Sequence, residues 1–89
     1  EPGNSNAYAY WGVALEQLGN RSGAIEKLKY ALDLLPTNNN VFIPLINALM
    51  SQKQYNEAWK VVKKAKKARV EISSNLLSRL AKMYPNPIQ

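Results

Sequence analysis

Apolar residues recur along this chain at steps of three and four, separated by short polar breaks, and that rhythm predicts helices throughout. Tyr8, Trp11, Leu15 and Leu18 make one stripe; beyond Gly19-Asn20, a second runs through Ala24, Ile25, Leu28, Ala31, Leu32 and Leu35. The first helix is expected from near Ser5, with Asn4 or Ser5 as its cap, to about Leu18, where Gly19 offers a left-handed stop. The second is expected from about Arg21 to Leu35, with Ser22 as a cap and Pro36 as its end. Its polar positions Glu26, Lys27, Lys29 and Asp33 read as a solvated face.

A third helix is predicted from about Asn40 to Gln52, with Phe42, Leu45, Leu49 and Met50 as its core stripe. Pro44 fits within the first turn, where a missing N–H costs little, and moves the ordered start to Val41 or later. A fourth is predicted from about Tyr55 to Arg69, with Ala58, Trp59, Val61, Val62, Ala65 and Ala68 on its apolar side. The fifth should start at Ser73 or Ser74 and run to Tyr84, ended by Pro85 and Pro87. Leu76, Leu77, Leu80 and Met83 are expected inward; Asn75, Ser78, Arg79 and Lys82 are expected outward, as on a capping helix.

Shifted by 34 residues, Ala24 falls on Ala58, Ala31 on Ala65, Leu28 on Val62, Leu15 on Leu49 and Tyr8 on Phe42. A small-residue pair duplicated at one fixed offset marks a repeated unit. Residues 1–89 therefore read as one all-α domain. Its first unit spans about 5–38, its second about 39–72 and its capping helix about 73–84. The same shift carries Pro36 onto Pro2, so the opening reads as the end of a preceding unit and the chain as a piece of a longer protein. Gly12 lies inside the first helix, where glycine costs roughly 1 kcal/mol against alanine. Either it is tolerated there, or its lack of a side chain lets the helix carrying Ala24 approach closely.

With these elements placed, the motif Tyr8-x2-Trp11-Gly12-x2-Leu15, followed by Ala24-x3-Leu28, Ala31 and Pro36, resembles the tetratricopeptide repeat (TPR). The second unit is similar through Phe42, Leu45, Leu49, Ala58, Val62 and Ala65, but carries Ile46 where the family prefers a small residue and Val70 where it prefers proline. RNA-reading relatives with a longer repeat fit less well. The resemblance implies an α-solenoid: five helices in antiparallel pairs, wound as a right-handed superhelix. It also implies a repeat core of Trp11, Gly12, Ala24, Ala31, Ala58 and Ala65. The first helix of each pair would line a concave groove, and the work implied is that of a protein–protein interaction scaffold holding a peptide or partner helix.

Helix geometry combined with that resemblance puts Asn6, Ala9, Val13 and Gln17 in the groove, with Glu16 at its margin. Asn40, Ile43, Asn47 and Met50 follow on the third helix, and Leu77, Ala81 and Tyr84 on the fifth. Asn47 is able to donate and accept hydrogen bonds to a ligand backbone, or is simply solvated. Ile43 and Met50 are either adaptable ligand contacts or core. The first and third helices offer no lysine or arginine to this lining, so a clamp for a carboxylate terminus is not expected.

Composition removes several chemistries. An apolar fraction of 46% belongs to a globular chain rather than a disordered one. Cys and His are both absent, which excludes disulfides, thiolate metal sites and the usual general base. The acidic residues are scattered outside any motif, so no catalytic residue, metal site or cofactor is expected. The apolar run from Val41 to Met50 is interrupted by Pro44 and Asn47 and is too short to span a membrane.

Charge adds one feature. Lys53, Lys60, Lys63, Lys64, Lys66, Lys67 and Arg69, opposed locally only by Glu57, account for the whole formal net charge of +6. Lys60, Lys63, Lys64 and Lys67 share one helical face. Such a stripe steers an acidic partner, meets phosphates of nucleic acid or an anionic surface, or is merely a solvated helix back. Nucleic acid is disfavoured, because lysine dominates over arginine and no exposed aromatic is interleaved for stacking. Tyr8, Tyr10 and Trp11 form an aromatic surface suited to self-association if nothing covers it.

Overall fold

The computed structural model describes residues 2–84, and these form five helices and no strand. They are α1 (Pro2–Gln17), α2 (Arg21–Leu34), α3 (Phe42–Ser51), α4 (Tyr55–Lys67) and α5 (Ser74–Met83). Residues 85–89, with Pro85 and Pro87, lie outside the described part. No helix is long and apolar enough to cross a membrane among the described residues.

Helix ends explain most differences from the sequence expectations. α1 begins at Pro2, three residues before Ser5, because proline is suited to the first helical position, where no N–H is needed. Ser5 therefore sits inside the helix and caps nothing. α2 is capped by Asn20, whose side chain accepts from the Gly23 N–H at 2.9 Å, and not by Ser22. α3 starts at Phe42, so Pro44 occupies its third position, within the turn whose N–H groups have no helical partner. α5 is capped by Ser73, which accepts from the Leu76 N–H at 3.2 Å.

Three helices end in the same left-handed closure. After α1, the Asn20 N–H reaches Leu15 O at 2.8 Å and the Gly19 N–H reaches Glu16 O at 2.9 Å. After α3, thirty-four residues on, Gln54 bonds Leu49 at 2.8 Å and Lys53 bonds Met50 at 3.0 Å. After α4, Val70 bonds Ala65 at 2.9 Å and Arg69 bonds Lys66 at 3.0 Å. This double bond satisfies carbonyls that a helix end leaves free, and it needs positive φ at its central residue. Gly19 supplies that freely at 87°, whereas Lys53 and Arg69 adopt 59° and 60° against the preference of L-residues. The turn leaves Leu18 beyond the last helical residue and 81% exposed, so it drops out of the apolar stripe expected for α1.

α1 and α2 run in opposite senses. Gly12 faces Ala24 and Leu28, Tyr8 meets Tyr30, and Ser5 reaches Ala31. Ala24, Ala31, Ala58 and Ala65 are all fully buried, so the two small-residue pairs occupy matched depths. A Cβ at Gly12 would stand 2.7 Å from Leu28 Cγ and 3.1 Å from Ala24 O, which is the close approach that glycine permits. Ile46 holds the corresponding place in α3 and is itself fully buried, so the α3–α4 pair is spaced by a large side chain. Phe42, Leu45, Ile46, Leu49 and Leu28 form the centre of the core, joined from α5 by Leu76 and Leu80. Trp59 Nε1 donates to Tyr84 O at 2.7 Å, and Tyr55 stacks on Tyr84 with ring centroids 6.0 Å apart. These contacts tie the start of α4 to the end of α5.

The glycine and the strained turn make opposite predictions under urea denaturation. Gly12→Ala should lower stability by about 1–3 kcal/mol through overpacking, less the gain in helix propensity. Lys53→Gly should raise it by about 1 kcal/mol by relieving the left-handed strain. A Gly12→Ala protein as stable as the parent would mean that α1 and α2 are not in close contact there.

Candidate binding groove

A cleft of about 410 Å³ opens where α1, α3, the start of α4 and α5 meet. Glu16 enters it from α1, Asn47, Met50 and Ser51 from α3, Tyr55 from α4, and Arg79 and Met83 from α5. Asn47 and Met50, both expected in a groove, are brought together here, with Glu16 from its expected margin. The Asn47 carbonyl accepts from the Ser51 hydroxyl at 3.0 Å, which turns that hydroxyl back onto its helix. Arg79 and Met83 were not expected on this lining. Arg79 stands thirty-four residues beyond buried Leu45, so register alone gives no sign of it. Met83, expected inward, is 60% exposed because the end of α5 carries it to the cleft rim.

Other expected groove residues are placed differently. Ala9 is 1% exposed and belongs to the core, a correction that follows from its packing among buried side chains rather than toward solvent. Val13 and Ile43 are half-buried, and Ile43 packs on the core. Gln17 and Ala81 are exposed. Leu77 lines a separate cleft with Val62, Val70 and Ile72.

Asn6 belongs to a polar node that sequence patterning missed. The Ser5 hydroxyl donates to Ala31 O at 2.7 Å and accepts from Asn38 Nδ2 at 2.8 Å. The same Asn38 amide donates to Asn6 Oδ1 at 2.9 Å, and Asn38 Oδ1 accepts from the Asn40 N–H at 3.0 Å. Ser5 and Asn38 are buried, so each polar atom needs a partner, and the node supplies them. It pins the linker between α2 and α3 to the start of α1. The run Thr37 to Asn40 reads as a polar turn in sequence; its inward direction is a product of packing.

On the other side of the molecule, α2 and α4 present charge. Glu57 lies 3.3 Å from Lys60 and 4.0 Å from Lys29, so Lys60 is engaged in a local pair. Lys63, Lys64, Lys66, Lys67 and Arg69 are exposed. Lys64 and Lys67 rim a cleft of about 430 Å³ between the ends of α2 and α4.

Trp11 is 49% exposed, which corrects its assignment to the core. It stacks on Tyr8 at 5.8 Å between centroids, while Lys27 Nζ lies 4.2 Å from the centre of its ring. Tyr8 meets the edge of Tyr30 at 4.6 Å, and Lys27 is half-buried rather than part of a fully solvated face.

Compared with known protein families, with curated proteins and with solved structures, the chain finds no significant match.

The polar node carries a prediction. Asn38→Ala strips a buried acceptor from the Asn40 N–H and a donor from Ser5 and Asn6. It should lower stability by about 1–3 kcal/mol, read by thermal or urea unfolding.

Proposed function

We propose that this chain is a non-enzymatic, TPR-like interaction scaffold, an α-solenoid whose concave side receives a peptide or partner helix. The observation that carries this reading is the cleft where Glu16, Asn47, Met50 and Arg79 converge from α1, α3 and α5. The duplicated pattern of turn and small residues supports the repeat assignment beneath it.

The lining suits a segment of polypeptide. Met50 and Met83 are flexible, polarizable surfaces that adapt to an apolar side chain. The Asn47 amide both donates and accepts, which matches a peptide group. Glu16 and Arg79 place opposite charges in one cleft, so a ligand is oriented as well as held. Arg79 supplies a cation that α1 and α3 lack, and its planar fork pairs with a single carboxylate.

Ligands selected by peptide display against the whole chain provide the test. Asn47→Ala and Arg79→Ala should each weaken their binding by about tenfold in titration calorimetry, with unfolding midpoints unchanged. Salt should matter little if apolar burial dominates. Selected ligands that bind equally well to a variant carrying Asn47→Ala, Met50→Ala and Arg79→Ala together would remove the groove as the binding site.

A further inference from the structure

The face built by α2 and α4 carries a second, independent feature. Its cleft has an apolar floor of Leu32, Pro36 and Ala68, and a rim bearing Lys64 and Lys67. Leu32 is already almost covered, so the floor is continuous with the core, while both lysine heads are exposed. Neither lysine has a carboxylate within ion-pair distance among the described residues; Glu57 is committed to Lys29 and Lys60. Asp33 is the one acidic residue in the lining.

We propose that this cleft docks an acidic peptide, with an aliphatic side chain on the Leu32–Pro36–Ala68 floor and flanking carboxylates on Lys64 and Lys67. The charge balance selects the sign of the partner, and the floor selects its chemistry. α4 beyond Glu57 bears five cations and no anion, and Arg69 follows just past its end, so a partner rich in carboxylates is drawn to it. On the opposite flank of the same helix, Lys66 and Arg69 rim another apolar cleft of about 340 Å³ lined by Val70 and Ile72, with Glu71 as the one acidic residue in its lining. A peptide crossing the end of α4 thus meets the same combination of apolar floor and cationic rim twice.

Nucleic acid fits less well. Its backbone offers phosphates but no aliphatic group for the floor, and α4 exposes no aromatic ring for bases. A membrane surface fits less well too, because insertion requires protruding apolar residues. Val61, Val62 and Ala65 of α4 are all buried.

The test uses the full chain and a fluorescein-labelled peptide in which glutamates flank two leucines, read by anisotropy. Saturable binding is expected. It should weaken by about tenfold in the Lys64→Glu, Lys67→Glu double variant and by a similar factor when serines replace the peptide leucines. Asn47→Ala should leave it unchanged, which separates this face from the groove. Circular dichroism checks folding, and Lys64→Gln with Lys67→Gln gives a milder second variant that should also weaken binding. The proposal is overturned by an absence of saturable binding, by affinity independent of the leucines, or by binding that survives both lysine variants. It is equally overturned if a single-stranded oligonucleotide or phosphatidylserine vesicles bind more tightly than the peptide.

Discussion

At Gly12 there is no room for a methyl group, and that absence of space holds the first half of the molecule in place. With Leu28 Cγ 2.7 Å from where a Cβ would stand, α1 lies against α2 more closely than ordinary side chains allow. The close contact brings Ser5 onto Ala31 and sets the height at which Asn38 can join them. It therefore governs where the linker to α3 begins and how α3 is presented. The second pair lacks this device. Ile46 fills the matching place, and α4 is held to its neighbours by buried Ala58, Trp59, Val61, Val62 and Ala65.

The same register position behaves differently according to where its helix stands. Trp11, Leu45 and Arg79 are spaced by 34 residues. Leu45 is 1% exposed on central α3, which has neighbours on both sides, whereas Trp11 is 49% exposed on α1 and Arg79 is exposed on α5. First and last helices have fewer neighbours among the described residues, so the same position is core in one helix and surface in another. At α1 the uncovered ring is partly sheltered by Tyr8 and by the Lys27 ammonium above it. At α5 the exposed position holds a charge that water solvates without cost.

Helix pairing also divides the molecule chemically. The cleft joining α1, α3 and α5 is lined by an amide, thioethers and one charge of each sign. The α2–α4 face is dominated by lysine, with one carboxylate shared by two of them. Because α4 ends in Lys64, Lys66 and Lys67, its cations complement the negative end of its own helix dipole. That local role accounts for part of the excess charge. It does not account for the apolar floor beside it.

Sequence alone determined the number of helices, their approximate limits, the turns after α1 and α2, and the depth of the paired alanines. These follow from local rules: an apolar period matched to the helix, glycine or proline at an end, and small residues at a fixed interval. Tertiary structure alone decided that Ala9 is core, that Trp11 is surface, that Ser5 and Asn38 share a buried node, and that Arg79 joins Asn47 in one cleft. Each of those outcomes depends on which helix lies alongside, and burial is a property of the neighbours a residue acquires rather than of its own side chain.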